Sequence, residues 1–271
     1  MKLSSRILLS MLIIHMAGLL LSNIVLKKEY NKIDKSDLYW NYTSVLTQHF
    51  KYLKIEGGNI TNIAFEQSKN FSVRVLNDWQ RYNPELIQSL VKNDTLFIKF
   101  IYKSDNPNVK DWMKSTTLVR IFSPELLSVE GFNANFEMFK LKQKSIAVNM
   151  SGKSIFEVES MIPDMDSINV VQKDSASVEF EMSPDYKSKK REDTVINNGT
   201  VIHFGDKSTP PVTGADEIKS DEAMNINSVN ANLQGNSILD VGHAQIQSLQ
   251  LNIADSSAIV LSGGALKKIM K

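Results

Sequence analysis

The residues with which this chain could do chemistry are four histidines and a scatter of aspartates in turn-forming contexts. The histidines are His15, His49, His203 and His243. A metal site of the His-x-x-x-His type needs two imidazoles one helical turn apart, and no two are so spaced. Asp240 and His243 stand three apart, a separation that on a strand sends the two side chains to opposite faces, so no acid-base dyad is expected there. Asp174, Asp240 and Asp255 sit among Gly, Ser and Asn, the setting of a carboxylate that caps a turn. "SGKS" (151–154) has the look of a phosphate-loop end, but Met150 precedes it and the upstream glycine frame is missing. Gly57-Gly58 and Gly263-Gly264 likewise lack a lysine and a helix start. The expectation is a chain that is not an enzyme, with no catalytic residue, no cofactor-binding residue, no cofactor and no metal ligand.

Composition narrows the classes further. Lysine and arginine number 31 against 30 acidic residues, a balance that gives no electrostatic reason for a nucleic-acid partner. Cysteine is absent, which removes disulfides, thiolate metal sites, a cysteine nucleophile and a lipoprotein anchor together.

The elements that carry these residues begin with "ILLSMLIIHMAGLLLSNIVL", residues 7–26, which bears no formal charge. As a helix it is about 30 Å long, the thickness of a bilayer's hydrocarbon core. It reads as an uncleaved transmembrane signal anchor, since a cleaved signal peptide has a shorter apolar region and a small-x-small site. Lys2 and Arg6 favour a cytoplasmic N-terminus at residues 1–6, with Lys27 and Lys28 as a counterweight on the far side. His15 lies within the span and has no second ligand there. Residues 27–54 form a polar, lysine-rich juxtamembrane connector or cap.

From residue 55 to 271 the chain alternates apolar and polar residues in short segments broken by turn chemistry. The windows "IAFEQSKNFSVRVLN", "LLSVEGFNANFEMFK", "IAVNMSGKSIFEVES", "INVVQKDSASVEFEM", "VNANLQGNSILDVGH" and "LQLNIADSSAIVLSG" each read as strand, corner, strand. From Leu126 on their starts fall 20, 22, 61 and 20 residues apart. Repeats of that length built from short strands bury their apolar alternates by stacking, so the expected fold is all-β, a parallel β-helix or solenoid with one N-terminal transmembrane helix. An antiparallel sandwich is the competing architecture. The long spacing, with its "KSKKRED" cluster and Pro-Pro, reads as an insertion at 183–224. In 77–125, Asn83-Pro84-Glu85 reads as a helix start and "TLFIKFIY" (95–102) as a strand.

"KYLKIEGGNITNIAFEQSKNFSVRV" at the front and "SVNANLQGNSILDVGHAQIQSLQLNIADSSAIVLSGGALKKI" at the end carry a resemblance. Over residues 51–271 the chain is similar to the auto-transporter adhesin "head GIN" domain family, a domain of unknown function common in Bacteroidetes-type bacteria. It has "EGFNA" (130–134) in place of that family's compact glycine-rich stretch. The resemblance implies a β-helical fold outside the cytoplasm and an adhesin-like role, and it transfers no catalytic residue.

The functional expectation is a membrane-anchored, extracytoplasmic, non-catalytic binding or structural module of the bacterial cell envelope. Its partners are the membrane through residues 7–26 and a glycan or protein on the solenoid face. The domain then lies in the periplasm on an inner-membrane single pass, or at the surface or secreted if the N-terminal segment is cleaved. A β-helical carbohydrate-active enzyme acting on polysaccharide and a self-assembling scaffold are the alternatives.

Overall fold

The structure is a computed structural model, and it describes residues 3–82, 85–101, 116–182 and 224–261. The 183–224 insertion, except for its last residue, lies outside the described residues, as do His203, Asn83-Pro84 and Gly263-Gly264. The chain divides into two compact units, Met1–Thr43 and Ser44–Lys271.

The first unit holds α1, Leu3–Tyr30, whose stretch from Ile7 to Tyr30 contains an 18-residue window with a mean hydropathy of 2.1. Apolar side chains are exposed around its circumference, Leu8, Ile14 and Leu21 among them. A helix apolar on every side has no polar face to turn toward water. Lys27 and Lys28 sit in its last turn, where they complement the helix dipole. Lys35 then lies over the Tyr30 ring at 4.3 Å.

The second unit is two sheets facing one another across a single apolar core. The nine-stranded sheet contains β1 (Tyr42–Leu46), β3 (Asn62–Gln67), β4 (Ser72–Leu76), β7 (Thr117–Ser123), β9 (Asn135–Leu141), β11 (Ile155–Ser160), β13 (Ser177–Met182), β15 (Ile238–Asp240) and β17 (Ala258–Val260). Its order is β1-β4-β7-β3-β9-β11-β13-β15-β17. The eight-stranded sheet contains β2 (Tyr52–Glu56), β5 (Ile87–Lys92), β6 (Thr95–Phe100), β8 (Ser128–Phe132), β10 (Ser145–Ser151), β12 (Asp164–Gln172), β14 (Asn225–Leu233) and β16 (Gln245–Ile253), ordered β16-β14-β12-β10-β8-β2-β6-β5. Helix α2 (Asn77–Tyr82) follows β4 and carries the buried Trp79.

Alternation fixes which residues fill the core. In β11, Phe156 and Val158 are buried while Ile155 and Glu157 are exposed; in β13, Val178 and Phe180 are buried while Glu179 and Glu181 are exposed. Phe156 stacks on Phe136 with centroids 5.5 Å apart and meets Phe180 edge-on at 6.4 Å. Corners connect each strand to the facing sheet. At three of them, Gly152 (φ 69°), Asp174 (φ 62°) and Gly235 (φ 70°) adopt the left-handed conformation. They interlock: the Gly152 amide donates to Asp174 Oδ2 at 2.9 Å, and the Asn236 amide donates to the Asp174 carbonyl.

The expected parallel β-helix or solenoid is not what the chain forms: the two sheets are open and mixed, because strands at their N-terminal ends run antiparallel. β5 pairs with β6 antiparallel, and β4 pairs with β7 antiparallel. The cause is local for the first pair. Asn93 (φ 50°) and Asp94 (φ 57°) make a two-residue turn with both central residues at positive φ, the geometry that closes a hairpin. A stacked repeat is not the organising unit of that half of the chain. The helix expected to start at Asn83-Pro84 is also overturned. Residues 87–92 form strand β5, with Ile87, Ser89 and Val91 alternating toward the core side. From β8 onward neighbouring strands pair in parallel, at offsets such as Ile146 with Ile168 and Val229 with Leu249.

Candidate functional site

The outer face of the nine-stranded sheet concentrates charge in a way that short-range reading misses. Register places Arg74, Arg120, Ala64, Glu137, Glu157, Glu179, Asp240 and Val260 side by side across eight adjacent strands. Adjacent strands are about 4.8 Å apart, so four carboxylates stand one strand spacing from the next. A second row sets Glu159 against Glu181. Cross-strand like charges repel, and nothing in the alternation of the strands requires acids here.

The electrostatics record that crowding. Burial, then the carboxylates of Glu157 and Glu159, push the Glu137 carboxyl up to about 7, against a smaller opposing pull from Arg120. Ala64, only 1% exposed, lies between Arg120 and Glu137 in the row. Glu179 is also raised, by desolvation first and then by Asp240, Glu181 and Glu157. At the basic end, the Arg74 guanidinium lies over the Phe122 ring at 5.4 Å. The face therefore runs from cationic to anionic along one row.

The eight-stranded sheet is organised differently. There Lys54 pairs with Glu130 at 2.5 Å and Lys99 with Glu56 at 3.0 Å, both exposed pairs of opposite charge. Such pairs contribute about 0–1 kcal/mol each and present no net field.

A shallow pocket of about 100 Å³ opens on the acidic row, lined by Asn62, Asn135, Phe136, Glu137, Ile155 and Glu157. Small-molecule sites enclose roughly 300–1,000 Å³, so this one holds a few waters or the tip of a side chain. Glu137 and Glu157 are neighbours in register, as an acid-base couple would need, but they stand on an open sheet that excludes little water.

Of the candidates offered by the sequence, Asp240 stands at the end of this row and the others lie elsewhere. Asp174 and Asp240 cap turns: Asp240 Oδ1 accepts the Gly242 amide at 2.7 Å. His243 follows in that turn rather than on a strand, so the opposite-face argument does not apply to it. His49 lies against Phe71 with centroids 4.6 Å apart, and 3.7 Å from Asp94. His15 is exposed on α1. Among the described residues no group of three or more His, Asp or Glu side chains is arranged to hold a metal ion. The acidic row had a legible signal. Glu137, Glu157 and Glu179 recur at the 20- and 22-residue spacing of the windows, on the strands rather than at the corners where Asp174, Asp240 and Asp255 draw attention.

No protein-family model matches the chain, and no curated protein matches it. Solved structures do overlap it. A candidate adhesin from Bacteroides fragilis is 14% identical, with 82% of this chain and 96% of that one covered and a TM-score of 0.41. A candidate lipid-binding protein from Parabacteroides distasonis is 11% identical over 82% and 94%, TM-score 0.35. A candidate adhesin from the same organism is 12% identical over 82% and 96%, TM-score 0.35. Overlaps this loose carry no functional argument. The adhesin-like character implied by the sequence resemblance is the description two of these three proteins bear, and the head GIN name is borne by none.

Proposed function

We propose that the chain is an envelope-anchored, non-catalytic binding module whose partner-facing surface is the outer face of the nine-stranded sheet. The anchor is the apolar span at residues 7–26, crossing the inner membrane once and leaving the sheet domain in the periplasm. The carrying observation is the unbroken row Glu137, Glu157, Glu179 and Asp240 on a rigid sheet, with only a shallow pocket beside it. Holding four carboxylates at strand spacing opposes folding, and a partner bearing positive charge relieves that opposition on binding. A cationic protein segment suits an open, flat, anionic face better than a neutral sugar, which needs a cleft to bury its rings.

The test uses the full chain in detergent micelles, titrated with a fluorescent oligolysine peptide and, separately, with a neutral dextran of similar mass. Binding of the peptide, weakened by salt and reduced about tenfold in the triple variant Glu157→Gln, Glu179→Gln, Glu181→Gln, is expected. Equal binding by the variant, or preference for dextran, overturns the reading.

A further inference from the structure

The last strand of each sheet, β16 and β17, leaves apolar side chains in the open that their register partners bury. Val229, Ala231 and Leu233 on β14 are at most 1% exposed. Their partners on β16 are Leu249, Leu251 and Ile253, of which Leu251 is 39% and Ile253 38% exposed. On β15, Leu239 is fully buried, whereas its partner Ile259 on β17 is only partly so, and Val260 is 44% exposed.

These are edges of a particular kind. Proteins blunt edge strands with charges, prolines, bulges or a covering element. β16, "QIQSLQLNI", and β17, "AIV", contain no charged residue and no proline. At the other end of the eight-stranded sheet the edge strand β5 carries Lys92 and is one arm of a tight hairpin. The two ends are therefore not equivalent, and head-to-tail growth is not the arrangement the edges favour.

We propose that this edge docks a second copy of the same chain, across a two-fold axis that pairs β16 with β16 and β17 with β17 antiparallel. The sequence of the edge is its own complement. An axis through Leu251 sets Leu251 opposite Leu251, Leu249 opposite Ile253 and Gln250 opposite Asn252, apolar against apolar on the core side and amide against amide outside. An axis through Ile259 sets Ala258 opposite Val260. Leu251 lies three residues before the shared corner at 254–257 and Ile259 two after it, so an axis through Leu251 brings the β17 strands alongside one another within about one residue of the Ile259-centred register. The only charge at the corner, Asp255, is sent by the two-fold to the opposite end of the interface and does not meet its copy. The amide row is already begun within the chain, where Asn252 Nδ2 donates to Asn232 Oδ1 at 3.4 Å. Such a contact closes as a dimer, since isologous pairing uses up both edges.

The chain has no cysteine, so single-cysteine probes are free of background. The full chain in detergent micelles is sized by chromatography with light scattering, and the expected protein mass is that of two chains. Leu251→Lys, at a position already open to solvent, halves that mass with unchanged far-ultraviolet circular dichroism. Under mild oxidation Leu251→Cys gives mostly disulfide-linked dimer, and Asn230→Cys on the interior strand β14 gives none. A one-chain mass at tens of micromolar, a dimer that persists in Leu251→Lys through the N-terminal helix or another surface, or equal cross-linking at both positions overturns the proposal. A dimer that forms only after removal of residues 262–271 also overturns it, because the chain's own tail is then the occupant.

Discussion

Glu137 is the residue at which the cost of the acidic face is easiest to read. Its folded-state carboxyl titrates near 7 instead of near 4.5, because burial and the neighbouring carboxylates disfavour its charge. The sign follows from proton counting. Between about 4.5 and about 7 the folded chain holds a proton the unfolded chain has lost, so this contribution to stability is complete below 4.5 and is lost as pH rises through 7. Glu137→Gln removes the penalty. Urea denaturation should show the variant about 1 kcal/mol more stable than the parent at pH 8, the full shift being discounted for solvent screening, and the two nearly equal at pH 4.5. A core residue behaves oppositely. Phe156 is fully buried and stacked on Phe136, and Phe156→Ala should cost about 3–5 kcal/mol at either pH, read by the same denaturation.

At the scale of elements, the corners decide where strands can stop and cross to the facing sheet. Gly235 has a φ of 70°, and a Cβ built there would lie 2.6 Å from the Asp174 carbonyl oxygen, a backbone atom of the neighbouring corner. Both the conformation and the contact oppose a side chain. Gly235→Ala should lower stability by about 1–3 kcal/mol, with a matching fall in the thermal midpoint. These corners were legible in the sequence: "SGKS", "KDSA" and "QGNS" each divide two alternating segments, and β10–β11, β12–β13 and β14–β15 break there. The Asn93-Asp94 turn is equally present in the sequence, beside the competing helix signal of Asn83-Pro84-Glu85. Its consequence, an antiparallel hairpin, is what separates the observed mixed sheets from the expected parallel stack. A spacing of 20 or 22 residues reports which strands neighbour one another in one part of the chain; it does not report how a sheet begins.

For the whole molecule, the apolar helix and the acidic face are separate claims with separate tests. If α1 anchors the chain, alkaline carbonate should leave the full chain in the membrane pellet and release a form lacking residues 1–30 to the supernatant; release of both forms rejects the anchor. The acidic face was harder to read from sequence than the core. A buried Phe or Val declares itself by alternation, whereas a row of outward-facing glutamates exists only once Glu137, Glu157 and Glu179 are brought into register by strands 20 and 22 residues apart. The most direct test of the binding claim is a hydrogen-exchange footprint of oligolysine on the full chain in micelles. Protection confined to β9, β11, β13 and β15 is the predicted result. Protection centred on the eight-stranded sheet, or none at saturating peptide, would contradict the assignment of the acidic face as the binding surface.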